Sequence, residues 1–504
     1  MEMVRELVSR EGRSRSGRKA KFGYGFALAQ NPAWSLAQVL LATGGRLWGD
    51  RTRAFFRLIC SDSRLLEAGD LFIALRGDNF DGHDFIEDAL RKGAAGLVLD
   101  TPPVRPVLAP VVLVPDTLRA LGDLAHYRRR LLPKLKVLAI TGSSGKTTVK
   151  EMSAAILERK QRVLKTRGNL NNLIGLPLSL LPAEEHHRIA VMEMGMNRPG
   201  EIARMTEIAR PDLALINNIQ EAHLAGLVDL NGVARAKGEL FQNMLPWTTL
   251  VVNLDDRKVR AMAAKLPHAR VTFGRSAKAM VRATQPRSRG EEGMSFTLSM
   301  PGWRGRIKLG ALGAHNVQNA LAAAALAHAA GASGEDIAAG LEAYRSFSKR
   351  LSLQPFIGGL KLVDDCYNAN PASMLAALET VHNLRRNRKV VAVLGDMLEL
   401  GAHGVAAHRF IGEKVAKLEF DYLLTVGEFA REMAGAARKG GMSSEKIKAC
   451  DGKEEIAAWL AEAVKRGTLG PDDLVLLKAS RGMKMETIID GLSHRNRLSA
   501  STKC

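Results

Sequence analysis

From Lys136 onward the chain alternates short apolar runs with stretches of helical period. KVLAI, RIAVMEMG, LALINNI, TLVVNLD and RVTFG are separated by segments such as RPGEIARMTEIAR. That alternation predicts a parallel sheet covered by helices, because parallel neighbours need a crossover connection that a helix supplies. Residues 280–312 interrupt it with GMSFTLSMPGWRGRIKL, which reads as an antiparallel excursion. Beyond Phe347 the theme returns in LKLVDDCY, KVVAVLGD, YLLTVG and DLVLLKAS, each followed by a helical stretch, and predicts a second doubly wound unit. The segment before about residue 135 reads as mixed α/β and ends at the basic stretch YRRRLLPKLK. The expected organisation is an α/β chain with a basic tail over 1–44 and a mixed α/β domain over 45–135. A central parallel-sheet domain over 136–346 and a doubly wound C-terminal domain over 347–504 complete it.

The first strand of the central domain runs into TGSSGKTT, residues 141–148, followed by the helical VKEMSAAILER. A strand that feeds a Gly/Ser turn at a helix N-terminus presents backbone N–H groups able to cradle phosphate oxygens. Thr141, Gly142, Ser143, Ser144, Gly145, Lys146, Thr147 and Thr148 are therefore candidate ATP contacts, with Lys146 supplying charge and the Thr147 hydroxyl a ligand for Mg²⁺. The loop departs from the common G-x-x-x-x-G-K-[ST] pattern, since Ile140 stands where the first glycine belongs. A chance turn would explain the string by itself; the strand before it and the helix after it favour nucleotide binding.

Further polar groups fall at the carboxyl ends of predicted strands, where open α/β sheets bind ligands. Glu193 closes AVMEMG, and His223 follows LALINNI. Each is a candidate Mg²⁺ ligand, against the simpler reading of a solvated or hydrogen-bonded strand end. Asn316 and Asn319 in GAHNVQNA lie one helical turn apart and could grip a base or ribose, unless one serves as a helix cap. VDDCYNANP and KASRGMKME place Asp365, Asn368, Asn370, Lys478, Ser480 and Arg481 directly after strands. Turn chemistry accounts for the Asn and Pro of the first string and does not readily account for the second.

Bulk properties bound the remaining classes. A length of 504 residues has room for about three domains of roughly 150 residues. The longest apolar stretch, ALAAAALAHAAGA, is too short and alanine-rich to span a bilayer. Four cysteines lie far apart with no C-x-x-C, so neither a zinc site nor a disulfide framework is indicated, and a reducing cytoplasm fits. The net charge of +21 raises nucleic acid as a partner. Its even spread along the chain, with 5% aromatic residues for base stacking, argues against that. The Arg-rich N-terminus carries Glu2, Glu6 and Glu11 and lacks the apolar core of a secretory signal. It reads as a basic tail, with an organelle transit peptide the alternative.

Taken together, TGSSGKTT, TRGNLNNLIGLPLSLL, VMEMGMNRPGEI, NNIQEAHLAGL, RAKGELF, GAHNVQNALAAAA, VDDCYNANPASM, VLGDMLELG and LKASRGMKME resemble the Mur ligases. These are ATP-dependent amide-forming enzymes of peptidoglycan precursor synthesis, and the order of motifs is similar to the member that adds D-alanyl-D-alanine to the UDP-muramoyl tripeptide. DSRLLEAGDLFIALRGDNFDGHDF is similar to that enzyme's UDP-substrate domain, and the resemblance covers about residues 45–493. Lys349 departs from it, standing where glycine is expected before the Arg-Leu pair.

The resemblance implies a monomeric cytoplasmic ligase that uses ATP and Mg²⁺ and takes UDP-N-acetylmuramoyl-tripeptide and D-alanyl-D-alanine through an acyl phosphate. It implies Lys146, Lys237, His223 and Arg350 as catalytic groups. It also implies Asn316, Asn319 and Asp365 at the nucleotide, Thr147, Glu193, His223 and a carbamylated Lys237 at the metal, and Asp62, Ser63 and Arg64 at the uridine diphosphate. Asn368, Asn370, Lys478, Ser480 and Arg481 are implied at the substrate. The ligase that adds the third residue and folylpolyglutamate synthetase share the ATP machinery, but YNANP and GDMLELG argue against both. A P-loop switch or kinase would leave the C-terminal unit without a role.

Overall fold

A computed structural model describes residues 34–77, 80–221, 229–346 and 349–492. The chain packs as two compact units: one runs to Ala139 and also takes in Arg162–Met194 and Ala203–Pro211, and the other holds Ile140–Gln161, Gly195–Ile202 and the chain from Asp212 on.

The first unit begins with β1 (Trp34–Ser35) and α1 (Leu36–Thr43), inside the span read from sequence as tail. The correction has a local cause. Ser35 and Gln38 form a reciprocal capping box, and Gly44 ends the helix in a left-handed conformation at φ 63°. Then come β2 (Arg46–Trp48), β3 (Phe55–Phe56), β4 (Ile59–Cys60), β5 (Leu71–Ile73), α2 (Ile86–Arg91), β6 (Gly96–Leu99), β7 (Val111–Leu113), α3 (Thr117–Leu131) and β8 (Lys136–Thr141). A five-stranded sheet runs in the order β2-β7-β6-β5-β4, antiparallel only at the β2 edge. One face buries Phe72, Leu97, Leu99, Val111 and Leu113.

The chain continues through α4 (Lys146–Leu157), β9 (Val163–Lys165), α5 (Gly175–Leu180), β10 (Ile189–Glu193) and α6 (Glu201–Ala209), with β9 and β10 paired in parallel. In the second unit, β11 (Leu213–Ile216), α7 (Leu230–Gln242), β12 (Thr249–Asn253), α8 (Arg257–Ala264) and β13 (Arg270–Gly274) carry on the alternation. β14 (Val281–Ser288), β15 (Met294–Met300) and β16 (Trp303–Leu309) are followed by α9 (Ala314–Ala330) and α10 (Gly334–Ala343). β11 to β14 pair in parallel in sequence order, while β14, β15 and β16 form the expected antiparallel meander.

Its C-terminal part comprises β17 (Ser352–Pro355), β18 (Lys361–Asp365), α11 (Pro371–Leu384), β19 (Val390–Leu394), α12 (Gly404–Lys417), β20 (Tyr422–Val426), α13 (Ala430–Lys439), β21 (Ile447–Cys450), α14 (Lys453–Lys465) and β22 (Leu474–Lys478). The sheet order is β17-β18-β22-β19-β20-β21, with β17 antiparallel at the edge. Alternate residues of a strand point to opposite faces, and here both faces are apolar. Val390, Ala392 and Leu394 enter one core with Leu474 and Leu476, while Val391 and Val393 enter the other with Val475 and Leu477. Helices therefore cover both sides. β22 inserts between β18 and β19, so the carboxyl ends of these three strands lie side by side, with Lys478 in register with both Asp365 and Leu394. Among the described residues no helix is long and apolar enough to cross a membrane.

Candidate functional site

In the second unit, β8 ends at Thr141 and the chain turns through Gly142 (φ 153°) and Gly145 (φ 77°) into α4. Gly145 is the N-cap and makes no side-chain cap hydrogen bond at the start of α4, the helix end whose dipole favours an anion. Side chains beyond β11 set the shape of the loop. Asn218 Oδ1 accepts from the Ser144 N–H at 2.9 Å, Asn217 Nδ2 donates to the Ser144 carbonyl at 2.9 Å, and the Ser143 hydroxyl donates to the Gln220 carbonyl at 2.8 Å. Lys146 Nζ donates to the Gly142 carbonyl at 2.8 Å, folding over the loop it belongs to.

Asn316 and Asn319 join the same network. Neither caps α9, whose N-cap is Gly313. Asn316 donates to the Leu312 carbonyl at 2.7 Å and accepts from Asn319 at 2.9 Å, and Asn319 Oδ1 accepts from Asn217 Nδ2 at 3.1 Å. The pair thus braces the glycine loop through Asn217. A Cβ on Gly145 would come within 2.2 Å of Asn319 Oδ1 and 2.7 Å of Asn217 Nδ2. Gly145→Ala is expected to displace the loop and lower ATP-dependent turnover about a hundredfold, as misplacement of reacting groups by about 1 Å does. ATP-dependent steady-state kinetics on folded protein check this.

Lys237 lies on α7 at 0% exposure, and its Nζ has no hydrogen-bond partner among the described residues. Burial, reinforced by the Lys146 ammonium, holds its own ammonium well below the usual lysine range.

The segment just before β17 meets the first turn of α4. Arg350 Nη2 donates to Thr147 Oγ1 at 2.8 Å, with the guanidinium 4.1 Å above the Tyr367 ring. Flanking it, Lys349 and Leu351 are left-handed at φ 65° and 48°. Lys349 thus adopts the conformation that makes glycine the expected residue there, and its Nζ pairs with buried Glu486 at 2.8 Å. Lys478, 1% exposed, donates to Asp365 Oδ2 at 2.6 Å and to the Asn368 carbonyl at 2.8 Å. It ties the Asp365–Asn368 turn to β22. Lys478→Met strands the Asp365 carboxylate and is expected to destabilise the folded state by about 3–5 kcal/mol, measured by denaturant titration. His315, at the start of α9, is pushed down to about pKa 4 by burial, with Asp365 opposing the shift and Lys478 adding to it.

Asn368, Asn370, Ser480 and Arg481 line a cavity of about 100 Å³ together with Ala369, Leu398, Glu399, Leu400 and Gly482. Asn370 is also the N-cap of α11, accepting from the Ser373 N–H at 2.8 Å. The Ser480 hydroxyl accepts from the Leu398 N–H at 2.9 Å and donates to the Ala369 carbonyl at 3.4 Å. It links three walls of the cavity.

In the first unit, Arg64 grips Asp62 at 2.5 and 2.7 Å, and Lys92 Nζ donates to the Ser63 carbonyl at 2.8 Å. Burial raises the Asp62 carboxyl, but the hydrogen bonds from Arg64 outweigh it and hold the group below the usual carboxylate range. Glu193, 2% exposed at the end of β10, accepts from Asn171 Nδ2 at 2.8 Å. His223 lies outside the described residues.

Three domain families match the chain: the Mur ligase family catalytic domain over residues 56–129, the Mur ligase middle domain over 140–327, and the Mur ligase glutamate ligase domain over 349–481. The UDP-N-acetylmuramoyl-tripeptide–D-alanyl-D-alanine ligase of Bacillus subtilis (strain 168) is 38% identical over 436 residues, covering 86% of this chain and 92% of that protein. The chain belongs to the Mur ligase family. A crystal structure of MurF from Acinetobacter baumannii aligns with a TM-score of 0.83 at 36% identity, covering 92% of this chain and 99% of that one. MurF ligase from Thermotoga maritima in complex with ADP aligns with a TM-score of 0.76 at 28% identity, covering 86% and 96%.

In this Mur ligase the sequence singles out the glycine loop and both C-terminal strings but not the groups that hold them in place. Asn217, Asn218 and Gln220 stand in the same NNIQEAH string as His223, and their adjacency to a strand end was the available signal. His315 sits beside Asn316, and helical spacing alone gives no reason to single it out. Among the described residues no group of three His, Cys, Asp or Glu side chains forms a metal cluster.

Proposed function

We propose that this Mur ligase joins D-alanyl-D-alanine to UDP-N-acetylmuramoyl-tripeptide with cleavage of ATP to ADP and phosphate, giving the UDP-pentapeptide precursor of peptidoglycan. The observation that carries the reading is the match over nearly the full length of ligases of that name. A carboxylate is a poor electrophile until one of its oxygens becomes part of a phosphate leaving group. Phosphorylation of the tripeptide's terminal carboxylate therefore comes first, and the dipeptide amine then attacks the acyl phosphate.

The residues fit a nucleotide: the turn into α4 is packed so closely at Gly145 that a Cβ has no room, and the helix opens on a glycine N-cap. Lys146 and Arg350 are placed to offset charge on the transferring phosphoryl group. Asp365 and the Asn316–Asn319 pair serve the nucleoside side. Asp62, Ser63 and Arg64 serve the uridine diphosphate.

Lys237 fits a modified lysine. Burial without a hydrogen-bond partner among the described residues, with a second ammonium nearby, disfavours its ammonium form, and neutral amines add CO₂ to give a carbamate and a proton. With the Thr147 hydroxyl, that carbamate would hold Mg²⁺. When bound, the ion neutralises phosphate charge.

The small cavity at the C-terminal strand ends suits the dipeptide, being well below the roughly 300 Å³ at which drug-sized sites begin. Groups from the glycine loop and from the C-terminal strands act together, so closure around the substrates would exclude water from the acyl phosphate. We expect a cytoplasmic monomer. Tripeptide labelled with ¹⁸O in its terminal carboxylate tests the order of events: one ¹⁸O should appear in each phosphate released, and unlabelled phosphate would refute the acyl phosphate.

A further inference from the structure

We propose that His408 is a positioning residue for the D-alanyl-D-alanine cavity, its neutral imidazole holding the Met397–Leu400 wall through the Met397 N–H. The inference rests on the reading of that cavity given above.

His408 lies on α12 at 0% exposure. Its Nδ1 faces the Gly404 carbonyl at 2.7 Å and its Nε2 faces the Met397 N–H at 2.9 Å. A carbonyl only accepts and an amide N–H only donates, so the ring carries its proton on Nδ1 and presents a lone pair at Nε2. The imidazole stacks on Phe429, ring centroids 4.4 Å apart and planes 19° apart, which fixes its orientation. The charged groups beside it are Asp396, 3.9 Å away, and Glu428. The Asp396 carboxylate is already engaged, accepting the N–H groups of Glu428 and Phe429 at 2.8 and 3.1 Å.

The wall needs such support. Glu399 sits in the left-handed region at φ 64°, a conformation that a residue with a Cβ keeps only where its surroundings over-determine it. Two pins precede it: His408 takes the Met397 N–H and the Ser480 hydroxyl takes the Leu398 N–H. Leu398, Glu399 and Leu400, the next residues, line the cavity together with Asn368–Asn370 and Ser480–Gly482. Without the acceptor at Nε2, the wall loses the first pin and a buried N–H is left unpaired. Neither the glycine loop nor the Asp62 cluster depends on this bond.

The test is steady-state kinetics on wild type, His408→Met, His408→Asn and His408→Gln, varying ATP, the UDP-tripeptide and D-alanyl-D-alanine in turn. Met keeps length and apolar bulk without an acceptor, Asn withdraws the acceptor by one methylene, and Gln places a carbonyl oxygen near the Nε2 position. The expected result is a rise of about tenfold in KM for the dipeptide in the Met and Asn variants. KM for ATP and the UDP-tripeptide should stay unchanged, and Gln should restore the wild-type value. An unchanged dipeptide KM in a folded acceptor-less variant, or a rise shared equally by all three substrates, overturns the proposal. In the wild type, adding D-alanyl-D-alanine should slow hydrogen exchange of the Met397 and Leu398 amides, and no change there counts against it even if the variants do not fold. A wild type that forms no dipeptide-dependent product refutes the functional reading instead.

Discussion

Replacing Lys146 by alanine is expected to lower the rate of amide formation about a thousandfold, the upper range for removing one preorganised group that stabilises transition-state charge. The expectation follows from position. Lys146 is the first residue of α4, next to the Gly145 cradle, and its ammonium lies over the loop at the Gly142 carbonyl. Binding of the UDP-tripeptide should persist, because the Asp62–Arg64 cluster belongs to the other compact unit and makes its hydrogen bonds within it. Calorimetric titration of the variant with UDP-tripeptide, beside a turnover assay, separates the two. Comparable loss of both in folded protein would contradict the assignment of separate sites.

Lys237→Ala is expected to cost about a hundredfold or more in activity and, unlike Lys146→Ala, to be partly rescued by a small carboxylic acid such as acetate or formate. The difference lies in what each side chain contributes. Lys146 acts as a cation, whereas Lys237 is buried, has no hydrogen-bond partner among the described residues and has its ammonium form disfavoured, so its proposed working form is an anion. A small acid can replace a missing anion beside a cation; it cannot replace a missing ammonium. Failure of rescue across acids of different size would return Lys237 to a purely structural role. Mass spectrometry of the intact wild type under bicarbonate gives an independent check, with an added mass of one CO₂ expected.

Strands that run through the middle of a sheet were legible because burial on both faces leaves them no polar positions. KVVAVLGD and DLVLLKAS are such strands and appear as β19 and β22. The edge strands β17 and β21 and the three-residue β9 were not legible, since an edge has one open side and tolerates polar residues and proline, as SLQP and IKAC do. Strand order was equally hidden. The placement of β22 between β18 and β19 is a long-range pairing, yet it is what brings Asp365, Lys478 and the GDMLELG loop together.

At the site, spacing showed that Asn316 and Asn319 share a helix face but not what faces them. The structure supplies Asn217, just past a strand about a hundred residues earlier, and links the two candidate base contacts to the glycine loop. Asn370 was legible as turn chemistry and is a helix cap that also lines the cavity. Lys478, read as a substrate contact, has its ammonium occupied by Asp365 and the Asn368 carbonyl.

The most direct test of the account is the reaction itself. Purified protein is incubated with ATP, Mg²⁺, UDP-N-acetylmuramoyl-tripeptide and D-alanyl-D-alanine, and product is followed by mass spectrometry with ADP measured in parallel. The expected product is the UDP-pentapeptide, formed one-for-one with ADP and only when all components are present. ADP release without a new amide, or product formed from a free amino acid in preference to D-alanyl-D-alanine, would contradict it.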